Sequence, residues 1–460
     1  MTRLVMVSNR VADPGKDSQS GGLAVALGDA LREYGGIWFG WDGRIDDTPA
    51  HQRVALNDDA GYCTATLSLT QQEYDGYYNG MGNNVLWPIL HYRLDLAKPE
   101  KAYTDAYMQV NRRFADTLRA LVQSNDLVWI HDYHLFPLGA ELRARGCGNP
   151  LGFFLHIPFP PPDILRAMPD CEAIIRALFS YDVVGMQTAG DIANFKRYIT
   201  DQADGTIDDA AGTATAFGRT ITVKAYPIGI DVDTFRAMAR TDEAEGVIDR
   251  LQRRTSETIQ IIGVDRLDYS KGLPERFTAF QYMLERYTGH QKGVTLMQIA
   301  PPTRENVDAY SDIREELERR SGAINGQFAD FDWTPIRYIH RPIARRTLAA
   351  LFRGSRIGLV TPLRDGMNLV AKEYVAAQND DDPGVLILSK FAGAAEDLQD
   401  ALLVNPYDTS EVGEKIAEAI SMPLGQRRER HEALLARVRA NDVNRWRSSF
   451  ISDLSRAGEA

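Results

Sequence analysis

Two basic residues, Arg266 and Lys271, follow an apolar run in the segment GVDRLDYSKGLPERF. The run predicts a buried strand, so the pair stands where a strand turns into a helix. Two cations at such a turn suit a diphosphate leaving group, because they neutralise its charge. The alternative is a solvated basic turn whose charges are paired with Asp265, Asp268 or Glu275. The position at a strand end and the acidic balance of the chain favour a functional role.

Two carboxylates follow another apolar run, in the segment TPLRDGMNLVAKEYVAA. Asp365 lies at the turn after the run Ile357–Thr361, and Glu373 lies about two turns further along a predicted helix. The first amides of a helix lack intrahelical partners and attract anions. Because no glycine-rich phosphate fingerprint is present, the turn predicts a ligand site without identifying its ligand.

Two more candidates follow apolar runs in the first half of the chain, in WIHDYHLFPLGAEL and GFFLHIPFPPPDIL. Asp132 could hold a substrate hydroxyl or act as an acid or base, but it could equally cap a helix that starts near Leu135. His156 ends a very apolar strand. A histidine in that position is usually a hydrogen-bonded core residue, but the prolines after it fix a turn that would present it at the edge of the sheet, which favours function.

Three further segments carry candidate residues. Gly21 and Gly22 open a predicted helix and would let an anion approach, although a glycine pair is more often a plain tight turn. Arg304 follows a strand and could hold a phosphate. The segment Tyr77–Arg93, rich in aromatic residues, Gly and Asn, is predicted to be irregular; it could stack on a sugar, or it could be a packed surface loop.

Short apolar runs alternate with helical patterns over most of the chain, first from Leu4–Ser8 to Ile221–Pro227 and then from Ile259–Val264 to Ala401–Val404. Continuous apolar strands between helices are typical of parallel sheets covered on both faces. The sequence therefore predicts an α/β protein with two doubly wound, Rossmann-like domains, residues 1–230 and 231–439. A C-terminal helix at about 440–460 is expected to pack back on the first domain, and the cleft that faces both domains is the default ligand site.

Two composition changes mark connections in this pattern. The chain becomes abruptly charged near Gly229–Thr258, which places the domain boundary there. The small and polar stretch Asp201–Gly218 is predicted to be a surface loop. The last helical pattern, about Gln426–Gly458, has no strand after it and is expected to pack back on the rest of the chain.

The composition excludes several classes of function. The chain has 460 residues, which suggests two or more domains, and a formal net charge of −11, which argues against a general nucleic-acid or membrane-surface binder. Its three cysteines form no CxxC pair, and no stretch is long and apolar enough to span a membrane. The N-terminal segment MTRLVMVSNR is predicted to be a first strand rather than a signal peptide. We therefore expect a cytoplasmic protein. The sequence leaves open whether it forms a homo-oligomer, either a dimer or a tetramer.

The motifs together resemble the trehalose-6-phosphate synthases, a family of retaining glucosyltransferases with the two-domain GT-B fold. The resemblance runs from Leu4 to about Pro406 and rests on the segments SNR, SGGL, YYN…NVLWP, WIHDYHL, GFFLHIPFP, DRLDYSKGLPER and TPLRDGMNLVAKEY. It implies that the second domain binds a nucleotide-diphosphate-glucose, with UDP-glucose as the expected donor, and that the first binds glucose 6-phosphate.

The resemblance also implies a role for each matching residue. Asp365 would accept hydrogen bonds from glucose hydroxyls, and Glu373 would accept both ribose hydroxyls. Arg266 and Lys271 would neutralise the diphosphate, and His156 would meet the donor glucose. The remaining donor contacts would come from Gly21, Gly22, Ile343, Gly366, Met367, Asn368, Leu369 and Val370.

For the acceptor, the resemblance implies that Arg10 and Arg304 bind the phosphate. Trp41, Tyr78, Trp87 and Asp132 would surround the sugar. The catalytic set implied is Asp132, His156, Arg266, Lys271 and Asp365, with no metal ion and no cofactor. Retention usually indicates a covalent carboxylate intermediate, but the family is thought to use front-face attack in which the leaving phosphate takes the proton of the acceptor.

Two alternatives stay open at this stage. A sister transferase, such as a glucosylglycerol-phosphate synthase, would use glycerol 3-phosphate with a similar phosphate clamp; Tyr78 and Trp87 favour a sugar. A non-catalytic relative that binds sugar phosphate and regulates a partner is disfavoured by the intact set of Arg266, Lys271, Asp365 and Glu373.

Overall fold

The computed structural model describes residues 3–11, 22–48, 54–58, 61–254, 258–287, 289, 293–303 and 308–459. Its contacts divide the chain into two compact units. Unit 1 comprises Met1–Pro227 and Trp446–Ala460, and unit 2 comprises Ile228–Arg445. Each unit is an α/β structure built around its own sheet.

Unit 1 contains a ten-stranded sheet in the described part of the chain, with the strand order β3-β4-β2-β1-β5-β6-β7-β10-β9-β8. The strands from β4 to β10 in this order are parallel, and the edge strands β3, β9 and β8 are antiparallel. The strands are β1 Leu4–Arg10, β2 Gly36–Ile45, β3 Ala55–Asn57, β4 Cys63–Leu69, β5 Leu127–His131, β6 Leu151–Phe154, β7 Val183–Met186, β8 Thr206–Asp208, β9 Thr213–Ala216 and β10 Arg219–Ala225. The helices are α1 Gly22–Tyr34, α2 Gln71–Glu73, α3 Trp87–Leu90, α4 Lys101–Leu121, α5 Leu138–Ala144, α6 Pro162–Leu165, α7 Cys171–Leu178 and α8 Ala189–Gln202.

Unit 2 contains a six-stranded sheet in its described residues, entirely parallel, with the order β13-β12-β11-β14-β15-β16. The strands are β11 Ile259–Val264, β12 Val294–Ile299, β13 Ile336–Ile339, β14 Ile357–Val360, β15 Val385–Ser389 and β16 Leu402–Val404. The helices are α9 Val232–Met238, α10 Asp242–Arg254, α11 Leu273–Arg286, α12 Asp308–Phe328, α13 Arg345–Arg353, α14 Leu369–Ala377, α15 Thr409–Ser421, α16 Leu424–Ala440 and α17 Val443–Ala457; α17 belongs to unit 1 from Trp446 onward.

The central strands explain why the apolar runs predicted this fold. All residues of β5 and β12 are buried, which requires helices on both faces of each sheet. Neighbouring strands β1 and β5, or β11 and β14, are joined by long crossovers rather than hairpins, as parallel pairing demands. The prediction of two doubly wound α/β units is confirmed.

One local prediction is wrong. The stretch Asp201–Gly218 is not a plain loop, because it contains β8 and β9, which extend the sheet beyond β10 as an antiparallel edge. Its polar composition reflects an exposed edge rather than missing structure. The last helical pattern is formed by two helices, α16 and α17, with a helix end at Asn441–Asp442, where Asp442 Oδ1 accepts a hydrogen bond from the Arg445 amide.

Helix α17 packs on the sheet of unit 1 through Phe450. The Phe450 ring stacks on Trp129 with 4.5 Å between ring centroids and meets Tyr226 edge-on at 5.1 Å. A methyl group at Gly152 would lie 2.6 Å from the Phe450 ring, so this contact needs a glycine in β6. Phe450 is fully buried.

We expect Phe450→Ala to lower the free energy of unfolding by about 3–5 kcal/mol, because it removes a buried ring and leaves a cavity. The control is Leu56→Ala, since Leu56 is 62% exposed in the same unit; we expect about 0.5 kcal/mol or less. Urea unfolding of the two variants checks this, and equal losses would contradict the packing of α17.

Candidate active site

The turns after β11 and β14 are held together by hydrogen bonds and one ion pair. Ser270 O accepts the amide of Leu363 at 2.8 Å. Lys271 Nζ lies 2.6 Å from Asp365 Oδ2, and both side chains are largely buried. The solvated-turn alternative required Lys271 to form its ion pair with Asp265, Asp268 or Glu275. The lysine instead forms it with Asp365. The structure brings a cation and a carboxylate from two neighbouring strand ends to one place.

A fully buried arginine lies beneath these turns. The Arg276 guanidinium donates to Asp265 Oδ2 at 2.7 Å, Gln298 Oε1 at 2.9 Å and Thr361 Oγ1 at 3.0 Å. The three acceptors come from the ends of three adjacent strands, β11, β12 and β14. Burial raises the pKa of Asp265, and the neighbouring guanidinium opposes that rise. One side chain thus fixes the relative positions of the strand ends that carry the candidates.

Helix α14 begins at Leu369, as the predicted anion site requires. Asn368 caps it: its Oδ1 accepts the Ala371 amide at 3.1 Å and its Nδ2 donates to Asp365 Oδ2 at 3.0 Å. The first-turn amides of Leu369 and Val370 have no intrahelical acceptors and remain available to a ligand. The Asn368 side chain is therefore engaged in shaping the turn.

Gly366 and Met367, between these residues, offer a ligand mainly backbone groups. Both are buried, and Met367 O already accepts the amide of Ala394 at 2.7 Å. The left-handed backbone of Asn368, with φ 78°, is uncommon outside glycine and is the kind of local strain that collects at functional sites.

Glu373 is paired with an arginine that the sequence analysis did not single out. Arg345 Nη2 donates to Glu373 Oε1 at 3.1 Å. Burial raises the pKa of Glu373, and Arg345 opposes the rise by favouring the charged form. Ile343, two residues before Arg345, is half-buried between exposed neighbours. The carboxylate predicted to bind a diol is thus held in place by a neighbouring cation.

Lys372, the residue before Glu373, is fully buried. Its Nζ donates to the carbonyl of Ile228 at 2.9 Å and lies 3.7 Å from Asp397 Oδ2. Burial lowers the pKa of Lys372 to about 8, against a smaller opposing effect of Asp397. This lysine anchors α14 within unit 2.

In unit 1, three acceptor candidates lie together. The Arg10 guanidinium lies over the Trp41 ring, 5.8 Å from its centroid, and Trp41 lies 5.5 Å from Tyr78. The Tyr78 ring stacks on the His134 ring with 5.7 Å between centroids, and His134 is two residues after Asp132 in the chain. A cation beside a group of aromatic rings can bind an anionic sugar by charge and by stacking.

The segment that carries Tyr78 is regular, so the prediction of an irregular loop is wrong. Residues Tyr74–Leu86 form a π-helix, a form that is rare and is frequent at functional sites. Methyl groups at Gly80 and Gly82 would press on the Tyr103 and His134 rings, so small residues admit this close packing. Trp87 follows in α3 with only 3% exposure, and its ring packs on His91 and Tyr133.

Asp132 does not cap the next helix with its side chain; that alternative is wrong. Instead Asp132 Oδ1 accepts the backbone amide of His156 at 3.3 Å. Asp132 has φ 78° and ψ 165°, a region of backbone conformation that is almost exclusive to glycine. His156 is hydrogen-bonded through its ring to His131 at 3.0 Å, yet it is only half-buried. Both candidates thus lie together at the carboxyl ends of β5 and β6.

The structure says little about the remaining candidate residues. Gly21 and Arg304 lie outside the described residues, and Gly22 is the first residue of α1. Arg266 is exposed just after β11. Within the described ranges, no group of three or more His, Cys, Asp or Glu side chains is arranged to bind a metal ion. No helix among the described residues combines the length and apolar character needed to cross a membrane.

Comparisons with known proteins identify the family of this chain. A model of glycosyltransferase family 20 matches residues 6–456. The chain belongs to glycosyltransferase family 20. One similar protein is the trehalose-6-phosphate synthase of Cronobacter sakazakii. It is 46% identical over 456 residues, which cover 99% of this chain and 95% of the relative.

Two solved structures with ligands resemble this family 20 chain. The α,α-trehalose-phosphate synthase (UDP-forming) of Burkholderia xenovorans in complex with glucose-6-phosphate is 47% identical, with a TM-score of 0.95 over 98% of this chain and 100% of that one. An E. coli structure bound with UDP-2-fluoro glucose is 44% identical, with a TM-score of 0.94 over 98% of this chain and 99% of that one.

The sequence did not predict four residues that hold the candidate site residues in place: His131, Arg276, Arg345 and Lys372. A charged residue within an otherwise apolar helical face was the available signal for Arg276 and Lys372. His131 ends an apolar strand beside Asp132, and that position marked it too. Nothing local to Arg345 indicated its pairing with a residue 28 positions away.

We expect Lys372 to contribute stability that rises with pH above about 8, because folded Lys372 releases its proton at about 8 whereas the unfolded chain retains it up to about 10.5. The rise from this group should approach about 1.4 kcal/mol per pH unit between those values. Urea unfolding from neutral to alkaline pH, with Lys372→Met as control, measures it. The same pH slope in both proteins would contradict a charge-destabilised Lys372.

Proposed function

We propose that this protein is a trehalose-6-phosphate synthase. It transfers glucose from a nucleotide-diphosphate-glucose, of which UDP-glucose is the best candidate, to glucose 6-phosphate. The products are α,α-trehalose 6-phosphate and the nucleoside diphosphate. Family membership, and the glucose-6-phosphate and UDP-2-fluoro glucose bound in similar structures, support these substrates.

The observation that carries the proposal is the Lys271–Asp365 pair at the start of α14. Lys271 supplies a positive charge where a diphosphate would meet the first amides of that helix. Asp365 uses one oxygen for Lys271 and Asn368, and a carboxylate can accept about four hydrogen bonds in all. The pair therefore combines phosphate binding with hydroxyl recognition, as a sugar nucleotide demands.

We assign the donor to unit 2, where Arg266 assists Lys271 and Glu373 receives the ribose diol. We assign the acceptor to unit 1, where Arg10 binds the phosphate beside Trp41 and Tyr78. The family resemblance adds Gly21 to the proposed donor contacts and Arg304 to the proposed phosphate contacts.

The bonding of Asp365 bears on the stereochemical course. Its Oδ2 is held by Lys271 and Asn368, which lowers its nucleophilicity and suits it to accept hydroxyl protons. We propose retention by front-face attack, in which the departing phosphate oxygen takes the proton of the acceptor hydroxyl. Catalysis then comes from orientation of the two sugars and from positive charge at the developing diphosphate. The location of the protein in a reducing cytoplasm, which we expect from its three cysteines, stays a prediction.

Product analysis tests the function directly. The protein should convert UDP-glucose and glucose 6-phosphate into α,α-trehalose 6-phosphate, identified by NMR and mass spectrometry, with ADP- and GDP-glucose as parallel donors. Glycerol 3-phosphate replaces the acceptor in a further arm, because the aromatic group around Tyr78 favours a sugar. A faster reaction with glycerol 3-phosphate, or no reaction with any donor, would contradict the proposal.

We expect Glu373→Ala to weaken UDP binding by about 1–3 kcal/mol, because the ribose hydroxyls lose a buried acceptor. Binding of glucose 6-phosphate should change far less. Separate calorimetric titrations with the two ligands measure this, with Glu418→Ala as an exposed control in unit 2. Equal losses for both ligands would reject the role of Glu373.

We expect turnover to survive removal of divalent metal ions, because Arg266 and Lys271 supply the charge that a metal would supply at the diphosphate. The measurement is the initial rate before and after extensive treatment with EDTA. An enzyme that is inactive until Mg²⁺ is restored would contradict this expectation.

A further inference from the structure

Two histidine rings meet at the carboxyl ends of β5 and β6. His131 Nδ1 lies 3.0 Å from His156 Nε2, which is hydrogen-bond distance. His131 is the last residue of β5 and is fully buried, whereas His156 lies two residues beyond β6 and is half-buried. The inner ring therefore contacts any ligand only through the outer one.

The pair lies in an aromatic environment within unit 1. Trp129 lies 4.6 Å from the His131 ring and Phe154 lies 4.7 Å from the His156 ring, centroid to centroid. Trp446 of α17 lies 6.4 Å and 6.1 Å from the two rings. Burial lowers the pKa of His131 well below its usual value, with a further contribution from His156, and lowers the pKa of His156 to about 3. Both rings are therefore neutral near neutral pH.

Two neutral rings share one proton across this contact, so there are two arrangements. In the first, His131 Nδ1–H donates to His156 Nε2, and His156 carries its own proton on Nδ1. In the second, His156 Nε2–H donates to His131 Nδ1, and His131 carries its proton on Nε2.

His131 Nε2 decides between them. It is buried and has no hydrogen-bond partner in the part of the chain that the structure describes. The second arrangement would bury an N–H without an acceptor, and such orphaned donors are rarer than buried acceptors that lack a donor. The first arrangement leaves only a lone pair unpaired and is favoured.

We propose that His131 is a positioning residue that holds His156 as its Nδ1–H tautomer, so that His156 donates a hydrogen bond to an oxygen of the donor glucose. The backbone of His156 is fixed independently, because its amide donates to Asp132 Oδ1 at 3.3 Å. No described residue forms a hydrogen bond with His156 Nδ1, which leaves that atom for a ligand. The sugar contact rests on the function proposed above, whereas the tautomer does not.

The tautomer is tested in the unliganded protein by ¹⁵N NMR of histidine-labelled samples at neutral pH. The His156 signals are assigned by their loss in His156→Gln. We expect a protonated Nδ1 and an unprotonated, hydrogen-bonded Nε2 in the wild type. A protonated Nε2 on His156 would overturn the proposal whatever the enzyme's substrates are.

Two variants of His131 test its positioning role. His131→Phe fills the aromatic pocket but removes the donor, whereas the amide of His131→Asn can replace the Nδ1–H group. We expect His131→Phe to lose the Nδ1–H preference of His156 and to raise the KM for UDP-glucose by about 3–10-fold, the size of one hydrogen bond. The KM for glucose 6-phosphate should stay within about twofold. His131→Asn should restore both the spectrum and the donor KM.

The experiments distinguish a failure of the positioning role from a failure of the sugar contact or of the proposed function. An unchanged donor KM and an unchanged His156 spectrum in His131→Phe would overturn the positioning role. An unchanged donor KM in His156→Gln, in an enzyme that turns over UDP-glucose, would overturn the sugar contact. A protein without transferase activity would overturn the proposed function and the sugar contact, while the wild-type spectrum would still decide the tautomer.

Discussion

One buried charge constrains the whole candidate donor site. Arg276 lies under the carboxyl edge of the unit 2 sheet and bonds to Asp265, Gln298 and Thr361, the ends of three adjacent strands. Removing one partner of a buried charged pair, here Arg276 or Asp265, typically costs about 3–5 kcal/mol, and the hydrogen bonds to Gln298 and Thr361 tie the other two strand ends to the same guanidinium. Gly263 makes room for this group, because a methyl group there would lie 2.7 Å from the guanidinium. The turns that carry Lys271 and Asp365 start from these fixed ends.

The candidate residues of unit 1 are fixed by different means. Asp132 occupies a glycine-like backbone conformation and holds the amide of His156, while aromatic burial keeps the rings of His131 and His156 neutral. Charge is thus concentrated in unit 2, where a diphosphate would leave. Neutral hydrogen-bonding groups and aromatic rings prevail in unit 1, with Arg10 at their edge. This division matches a reaction in which charge develops mainly on the leaving nucleotide.

The sequence predicted what depends on short-range pattern. Continuous apolar runs are sufficient to predict buried parallel strands, and polar residues in the turns after them, such as Lys271 and Asp365, lie at the carboxyl edge, where sheets of this kind usually bind ligands. The partner of Lys271 was not predictable, because Asp365 is 94 positions away and three nearer carboxylates competed for the same cation. The π-helix at Tyr74–Leu86 was missed because glycine and asparagine normally predict loops. Arg276 lies on an otherwise apolar helical face, which indicated burial, but its three acceptors on separate strands are visible only in the tertiary structure.

The central claim is that Lys271, placed by this constrained edge, neutralises a diphosphate. Calorimetry of Lys271→Met with UDP and with uridine tests it most directly, with Lys390→Met as a control for an exposed lysine of the same unit. The account predicts that UDP binding weakens by about 2–4 kcal/mol, the size of a lost charge-assisted contact. Uridine binding should hardly change, and the control should match the wild type with both ligands. An equal loss for UDP and uridine, or no loss for UDP, would contradict the account.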